Sequence, residues 1–540
     1  MKLKSILLPL LLLLMADTCF IHTLPPTLTA IPPSSTSTPE ILPPSIPTTA
    51  IPSASIPTTS LPTAVASLAP AKVPTRLDTD GPYLAYLRDG VNGPEIVLMD
   101  ADGGGELSAP FPMDVNTILP PLLSDLLSRD GAWLAFYTGS AGPAFGQPGP
   151  TTADLTLKLM SLFNFKMLTG DSQLVTRLLS ADYPANFDTA ASQLGITDLT
   201  PQALRDSFVA GITQSIDWSP DGTLLAFAGQ MDGLSSDLYL YDANRGAIQR
   251  LSSGPQEVEW IDWSPDGKWV LDGSTYFVGE GMSYDVYATS PDGKVSRKLL
   301  TDYRMLGDVT WINGSEFLTY QGENGPGDYG LERVNVVTGK IDMIWSDSFG
   351  SFLLDPQGSW LAVFSPSGDL ALVDLATLKQ TAVSLPGPAH AFGSGSYMAA
   401  LDPGADRHFI FREDDASDWY YLSTGGVSTP ATITADLVSV APDQQHWVTL
   451  KDALQLYTNG SGKVSLFALP PGMNGGDFQR IIWRPDSSGI FLVSTSSQLY
   501  ALDFSSGEYA LVEQNLAAAG SGHFMTSAGP AGLIWVHSLK

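Results

Sequence analysis

A heptapeptide that returns after 45 residues limits what this chain can fold into more than any other feature. Ile216-Asp217-Trp218-Ser219-Pro220-Asp221-Gly222 recurs as Ile261-Asp262-Trp263-Ser264-Pro265-Asp266-Gly267. A fixed period of this length marks one supersecondary unit stacked many times, because a single unit cannot bury its own apolar face. Weaker copies stand at Trp311, at Leu354 ahead of Asp355-Pro356-Gln357-Gly358, at Val440 ahead of Ala441-Pro442-Asp443, and at Trp483 ahead of Arg484-Pro485-Asp486. Their spacings are 48, 43, 86 and 43 residues, so a degenerate unit near Tyr397 fills the doubled gap.

Each unit has the same internal order. The anchor is followed by Leu224-Leu225-Ala226-Phe227, then by Asp237-Leu238-Tyr239-Leu240-Tyr241-Asp242, then by Ala247-Ile248-Gln249-Arg250-Leu251, all short strand-like runs parted by turn residues. Ser-Pro-Asp-Gly joins the first strand to the second: Pro sets φ, Asp bonds its own following backbone, and Gly takes the positive φ at the exit. Another copy, Ser290-Pro291-Asp292-Gly293, follows Asp285-Val286-Tyr287-Ala288 and so belongs between a third and a fourth strand.

Four-stranded units of about 43 to 48 residues predict an all-β fold, a single β-propeller. Anchors at 218, 263, 311, 354, about 397, 440 and 483 give seven units, and Trp133-Leu134-Ala135-Phe136 with Leu155 to Leu179 gives an eighth. About eight blades are expected, within a range of seven to nine; the count reaches nine if residues 83–112 and the tail Leu533-Ile534-Trp535-Val536 share a closing blade. The Trp-Ser-Pro-Asp-Gly anchor, its apolar strand and the Asp-Leu-Tyr-Leu-Tyr-Asp strand resemble the WD40-like repeat of the TolB family, and Glu95 to Gly103 resembles the third strand of another copy. The likeness runs over about residues 80–540, and it implies a fold rather than an activity.

The N-terminal part follows other rules. Lys2 and Lys4 precede an apolar run from Ile6 to Met15, too short to span a bilayer, which predicts a signal peptide over residues 1–18. Cys19, the only cysteine, stands where bacterial lipoproteins carry their acylated residue, although Asp17 and Thr18 depart from the small residues usual there. Residues 19–75 read as a disordered Pro/Ser/Thr-rich linker: positions 24–75 hold 13 Pro, 8 Ser and 10 Thr, with a five-residue period at Ile46-Pro47, Ile51-Pro52, Ile56-Pro57 and Leu61-Pro62. The propeller domain is expected over 76–540. One stretch, about 180–215, breaks its grammar and predicts a short helical insertion, with Asp188 and Thr200 as N-caps, Pro201 at a first helical position and Leu204, Phe208 and Ile212 on one stripe. It is expected to cap one face of the ring.

Candidate chemistry is sparse. A single cysteine excludes an intramolecular disulfide and a CxxC metal site. His22, His390, His408, His446, His523 and His537 show no HxH or HExxH spacing. Asp100 to Glu106 has the alternating carboxylates of a calcium loop but lacks further oxygen ligands at set offsets, so a polar turn is expected. Thr338-Gly339-Lys340 with Trp345 resembles one copy of the tryptophan-docking motif of quinoprotein dehydrogenases, too little to predict a quinone site. Trp218, Trp263, Trp311 and Trp483 share one register and are expected as core between blades rather than as a sugar platform. Asn313-Gly314-Ser315 and Asn459-Gly460-Ser461 fit the glycosylation sequon and equally fit hairpin turns. No Gly-x-Ser-x-Gly elbow occurs, and the chain ends within the repeats, so the hydrolase half of dipeptidyl-peptidase-like enzymes is not expected.

With 27 basic against 56 acidic residues the chain carries a formal −29, which repels nucleic-acid phosphates. The expectation is a non-enzymatic, exported protein of the bacterial cell envelope, monomeric, held to the membrane only through lipid at Cys19. Its propeller would bind an envelope protein or a glycan, without catalytic residues, cofactor or metal. The alternative is a glycan hydrolase or lyase with carboxylates in the propeller funnel.

Overall fold

The computed structural model describes residues 81–91, 93–110, 117–118, 127–140, 154–161, 173–177, 216–231, 236–253, 257–278, 281–303, 309–320, 330–355, 357–365, 369–383, 397–400, 409–412, 419–431, 433, 435, 437–458, 463–516 and 534–536. All belong to the second of two units, 68–540. The signal peptide, Cys19, the linker and the 180–215 insertion lie outside the described residues.

Among the described residues the strands form nine four-stranded antiparallel sheets, the upper end of the expected range. Eight use strands consecutive in the chain, numbered in chain order: sheet 2 spans residues 117–177, sheet 3 216–250, sheet 4 257–303, sheet 5 310–345, sheet 6 351–382, sheet 7 397–431, sheet 8 437–468 and sheet 9 478–513. Sheet 1 pairs Tyr83–Gly90, Gly93–Asp100 and Glu106–Pro110 with the tail strand Ile534–Val536. The fold is an all-β propeller of four-stranded blades. Apart from a short 3-10 turn at Gly475–Asp477, no helix occurs among the described residues.

The strand sequences explain which edge of each sheet faces inward. The first strand of sheet 3, Ile216–Trp218, is wholly buried, whereas its fourth, Ala247–Arg250, is exposed at every residue. First strands of neighbouring sheets approach one another, 3 with 4, 7 with 8 and 8 with 9, as strands around a common axis must. The middle strands are apolar on both faces and supply the seams. Leu238, Leu240, Val258, Trp263 and Val270 join sheets 3 and 4, and equivalent clusters follow in turn round to Ile482, Phe491 and Val493 of sheet 9 against Leu84, Tyr86 and Val97 of sheet 1.

The anchor explains itself at atomic level. Ser219 Oγ donates to Asp221 Oδ1 at 2.6 Å and accepts from Leu224 N at 2.9 Å, while Gly222 takes φ +72 and donates its N–H to Ser219 O. Ser264 with Asp266 and Ser290 with Asp292 repeat the pattern, the last between a third and a fourth strand as expected. Trp218, Trp263 and Trp483 are buried, while Trp311 is only half-buried, edge-on to Phe317 at 5.5 Å. Its strand, Thr310–Asn313, turns back two residues beyond the indole, which leaves less sheet to cover it.

Three indoles are also tied to the preceding sheet. Trp263 Nε1 donates to the Asp217 carbonyl at 3.2 Å, Trp311 Nε1 to Asp262 Oδ2 at 2.9 Å, and Trp483 Nε1 to Ser439 Oγ at 3.0 Å. In each case the acceptor stands one residue before the previous anchor. A buried N–H needs a partner, and the repeat supplies one at a fixed place.

Candidate functional site

Two constellations of ionisable groups stand apart from the repeat grammar. The first lies in the seam between sheets 3 and 4. Asp272 sits in the second strand of sheet 4, Val270–Val278, and is 1 % exposed. Ser274 Oγ donates to its Oδ2 at 3.1 Å, and its Oδ1 is buried with no hydrogen-bond partner. Burial, with the nearby Asp237 charge adding to it, pushes the carboxyl up to about 7. Glu257, at the start of the first strand, accepts from Ser236 N at 2.6 Å, yet burial, then the charges of Asp237 and Glu259, push it up to about 7 as well. Asp237 is the common neighbour of both and forms an ion pair with Arg250. Asp285, also buried, pairs with Lys298.

Chemically, Asp272 and Glu257 exchange protons near neutrality, because a desolvated carboxylate is disfavoured until a cation or several donors offset the loss of water. Asp237 and Asp285 have such cations. Among the described residues no group of three or more His, Cys, Asp or Glu is placed to hold a metal ion. Their raised values near neutrality suit these carboxyls to proton transfer.

The second constellation closes the ring. Arg88 of Tyr83–Gly90 meets Glu95 at 2.7 Å, Glu106 at 2.6 Å and Glu513 at 3.2 Å. Glu513 ends the fourth strand of sheet 9, so one guanidinium ties its own strand to three others across sheets 1 and 9. Tyr86 Oη donates to Glu513 at 3.3 Å, and Asp89 N donates to Asn515 O at 2.9 Å. Burial raises the Glu106 carboxyl despite Arg88, because Glu513 and Glu95 share the same cation.

The residues singled out from sequence fall outside both groups. Asp102 Oδ1 accepts from Gly104 N at 2.8 Å and makes a hairpin turn, while Glu106 of the same stretch goes to Arg88. Asn313 Oδ1 accepts from Ser315 N at 2.9 Å, and Thr338 Oγ1 donates to Asn335 Oδ1 at 3.0 Å, both local turns. His446 Nδ1 lies 2.7 Å from Asp443 Oδ2; the other five histidines and Asn459 lie outside the described residues.

Two residues were not marked as anchors by the sequence, although the tail strand that carries the second forms the shared closing blade it allowed for. Leu127 bridges Leu134 as Trp218 pairs with Leu225, and Ser128-Arg129-Asp130-Gly131 is the turn of sheet 2, with Ser128 Oγ donating to Asp130 Oδ1 at 2.6 Å. Trp535 opposite Leu84 is likewise the anchor of sheet 1. The Ser-x-Asp-Gly signal is present at 128–131, with leucine in place of tryptophan.

No protein-family model matches the chain. It is 40 % identical over 68 residues, 13 % of its length, to uncharacterized peptidase YuxL of Bacillus subtilis, and 26 % identical over 180 residues, 32 % of its length, to uncharacterized protein Atu1656 of Agrobacterium fabrum. These matches span 10 % and 54 % of the two relatives. Among solved structures it is similar to an oligogalacturonate lyase in complex with manganese, at 12 % identity and TM-score 0.35, over 78 % of this chain and 95 % of that one. It is also similar to TolB from Acinetobacter baumannii, at 16 % identity and TM-score 0.27, over 56 % and 63 %.

Proposed function

We propose that this chain is an exported cell-envelope protein whose propeller is a binding scaffold for a protein or a glycan, without a reaction of its own. One observation carries the reading: the polar residues that recur with the repeat are spent on the fold. The turn aspartates close on their own hairpins and the anchor indoles bond to the neighbouring sheet. Asp237, Asp272 and Asp285 are sealed between strands. What such a ring offers to other molecules is a shaped surface with a strongly acidic balance. The leader-like run before Cys19 and the Pro/Thr-rich stretch after it support export and a lipid tether, with two or more acyl chains needed for stable anchoring. Affinity capture with the full chain from solubilised envelopes tests this: one partner or glycan recovered in fixed ratio and rebinding after purification supports it. Failure of purified envelope proteins and glycans to bind overturns it.

A second reading is a glycan hydrolase or lyase with carboxylates in the propeller funnel; it would need the seam that buries Asp272 to open to a substrate before Asp272 and Glu257, both raised to about 7, could serve as acid and base. Chain-dependent cleavage of an acidic or neutral oligosaccharide, lost in Asp272→Asn or Glu257→Gln, would establish it in place of the first.

A further inference from the structure

Each sheet of the ring ends in a fourth strand whose outward N–H and C=O groups can pair with another extended chain. Natural sheets guard such edges with charge or proline. Among the described residues the fourth strands of eight sheets follow this rule, from Glu106 and Pro110 in sheet 1 through Arg250 in sheet 3 and Pro430 in sheet 7 to Glu513 in sheet 9. Val464–Ala468 of sheet 8, Val-Ser-Leu-Phe-Ala, has neither.

That strand is also apolar where it meets water. Val464 is 44 % and Leu466 54 % exposed, and Ala468 is exposed with them, while Ser465 and Phe467 alternate on the other face. Phe467 lies 5.4 Å from Phe504 of the last hairpin of sheet 9, which holds the strand from behind. The ladder shows which backbone groups turn outward. Thr458 N donates to Lys463 O at 3.3 Å, and bonded pairs alternate from there, so Ser465 and Phe467 bond inward opposite Leu456 and Leu454. Val464, Leu466 and Ala468 therefore direct N–H and C=O to the edge. Sheet 5 exposes Ile341 and Met343 in a similar row, yet Asp342 between them pairs with Arg333 at 3.0 Å and Lys340 at 2.8 Å, so that edge is charged.

Length and charge decide what fits. A five-residue strand spans roughly 17 Å, so a second copy pairing along it would bury far less than the ~1,200 Å² of a stable interface. It would also bring together two chains of formal −29. A single extended peptide needs no more than the strand itself, and basic flanks on it would complement the acidic chain. Pro470 and Pro471 end the edge, which keeps the added strand short.

We propose that Val464–Ala468 is a docking edge for an extended segment of a partner protein, which joins sheet 8 as a fifth strand, with apolar side chains at alternate positions and basic residues beside them. The proposal rests on the scaffold reading and narrows it from a protein or a glycan to a protein strand.

Fluorescence anisotropy with the full chain and a labelled peptide of alternating valine and threonine, flanked by paired lysines, tests it. Saturable binding is expected. It should weaken at least tenfold when the valine nitrogens, which bond the edge opposite Leu466, are methylated, and at least tenfold in Leu466→Lys. Binding by Ile341→Lys, on the charged edge of sheet 5, should stay within a few-fold of wild type. Leu466→Pro is a second variant, because the N–H it removes points outward and the ladder to Ala453–Thr458 keeps its bonds. It should bind at least tenfold more weakly, with folding checked by circular dichroism. No saturable binding by the wild-type chain, or equal binding by both folded Leu466 variants, overturns the proposal. So does self-association of the wild-type chain in sedimentation that Leu466→Lys abolishes, which assigns the edge to a second copy. Envelope capture is read separately: a partner recovered equally by Leu466→Lys leaves the scaffold reading standing and overturns this edge as its site.

Discussion

Trp311 donates its indole N–H to Asp262 at 2.9 Å, and Asp262 stands immediately before Trp263, the anchor of the previous sheet. The bond adds a directional contact to the apolar seam between the two sheets. Trp311→Phe keeps most of the ring surface and removes the donor, so it should cost about 1 kcal/mol. Trp483→Ala, which opens a cavity beside Phe504, should cost roughly 3 to 5 kcal/mol. Urea unfolding followed by circular dichroism separates the two; equal midpoints would show that the seam does not depend on these indoles.

Removing Arg88 leaves Glu95, Glu106 and Glu513 facing one another at the closure. Arg88→Ala should lose roughly 2 to 4 kcal/mol, the low end reflecting partial solvent access. Adding Glu513→Gln should recover part of that loss, because it removes one of the uncompensated charges. A double variant less stable than Arg88→Ala would show that repulsion among the three glutamates is not what the arginine relieves.

The seam between sheets 3 and 4 should make stability fall as pH rises. Asp272 and Glu257 titrate at about 7 in the fold, against ordinary values of 3.8 and 4.5, so the folded chain binds more protons than the unfolded one between those limits. Their contribution is fully present below about pH 4 and lost as pH rises through about 7. The groups around Asp272 are Ser274, which donates to it, and Asp237, which Arg250 neutralises only from its own side. Asp272→Asn keeps the acceptor for Ser274 and should stabilise the chain at pH 8 by roughly 1 to 3 kcal/mol, and by clearly less at pH 5, where only part of the loss has accrued. Melting curves at the two pH values decide; an equal shift at both would assign the effect to packing.

Lipidation at Cys19 predicts that the precursor takes up labelled palmitate in a lipoprotein-competent bacterium, and that Cys19→Ser does not. Equal labelling of both, or of neither, rejects it.

How far the sequence could be read depended on whether a signal was local. Trp218 and Trp263 were legible because tryptophan, proline, aspartate and glycine fall within seven residues and the turn needs each of them. Leu127 was hidden because leucine fills the same place without marking it. The tail strand of Trp535 was legible as half of a closing blade shared with residues 83–112, and the structure forms that blade, but its role as an anchor was not, because its partner Leu84 and the turn glycine Gly81 lie at the other end of the chain. Of the candidate site almost nothing was legible. Val270-Leu271-Asp272-Gly273-Ser274 reads as a strand with one wet face, and only the neighbouring sheet turns that face into an interior.

The tail strand Ile534–Val536 completes a sheet whose other three strands are the first described in the chain. During synthesis, therefore, the opening strands wait for the keystone until every other blade has been made. A nascent chain crossing a membrane N-terminus first would arrive on the far side with an open sheet edge at Tyr83–Ala85, and it would stay open until its final strand came through. An intact closure is therefore a certificate that translation ran past Val536, since nothing earlier in the chain pairs that edge in the finished sheet.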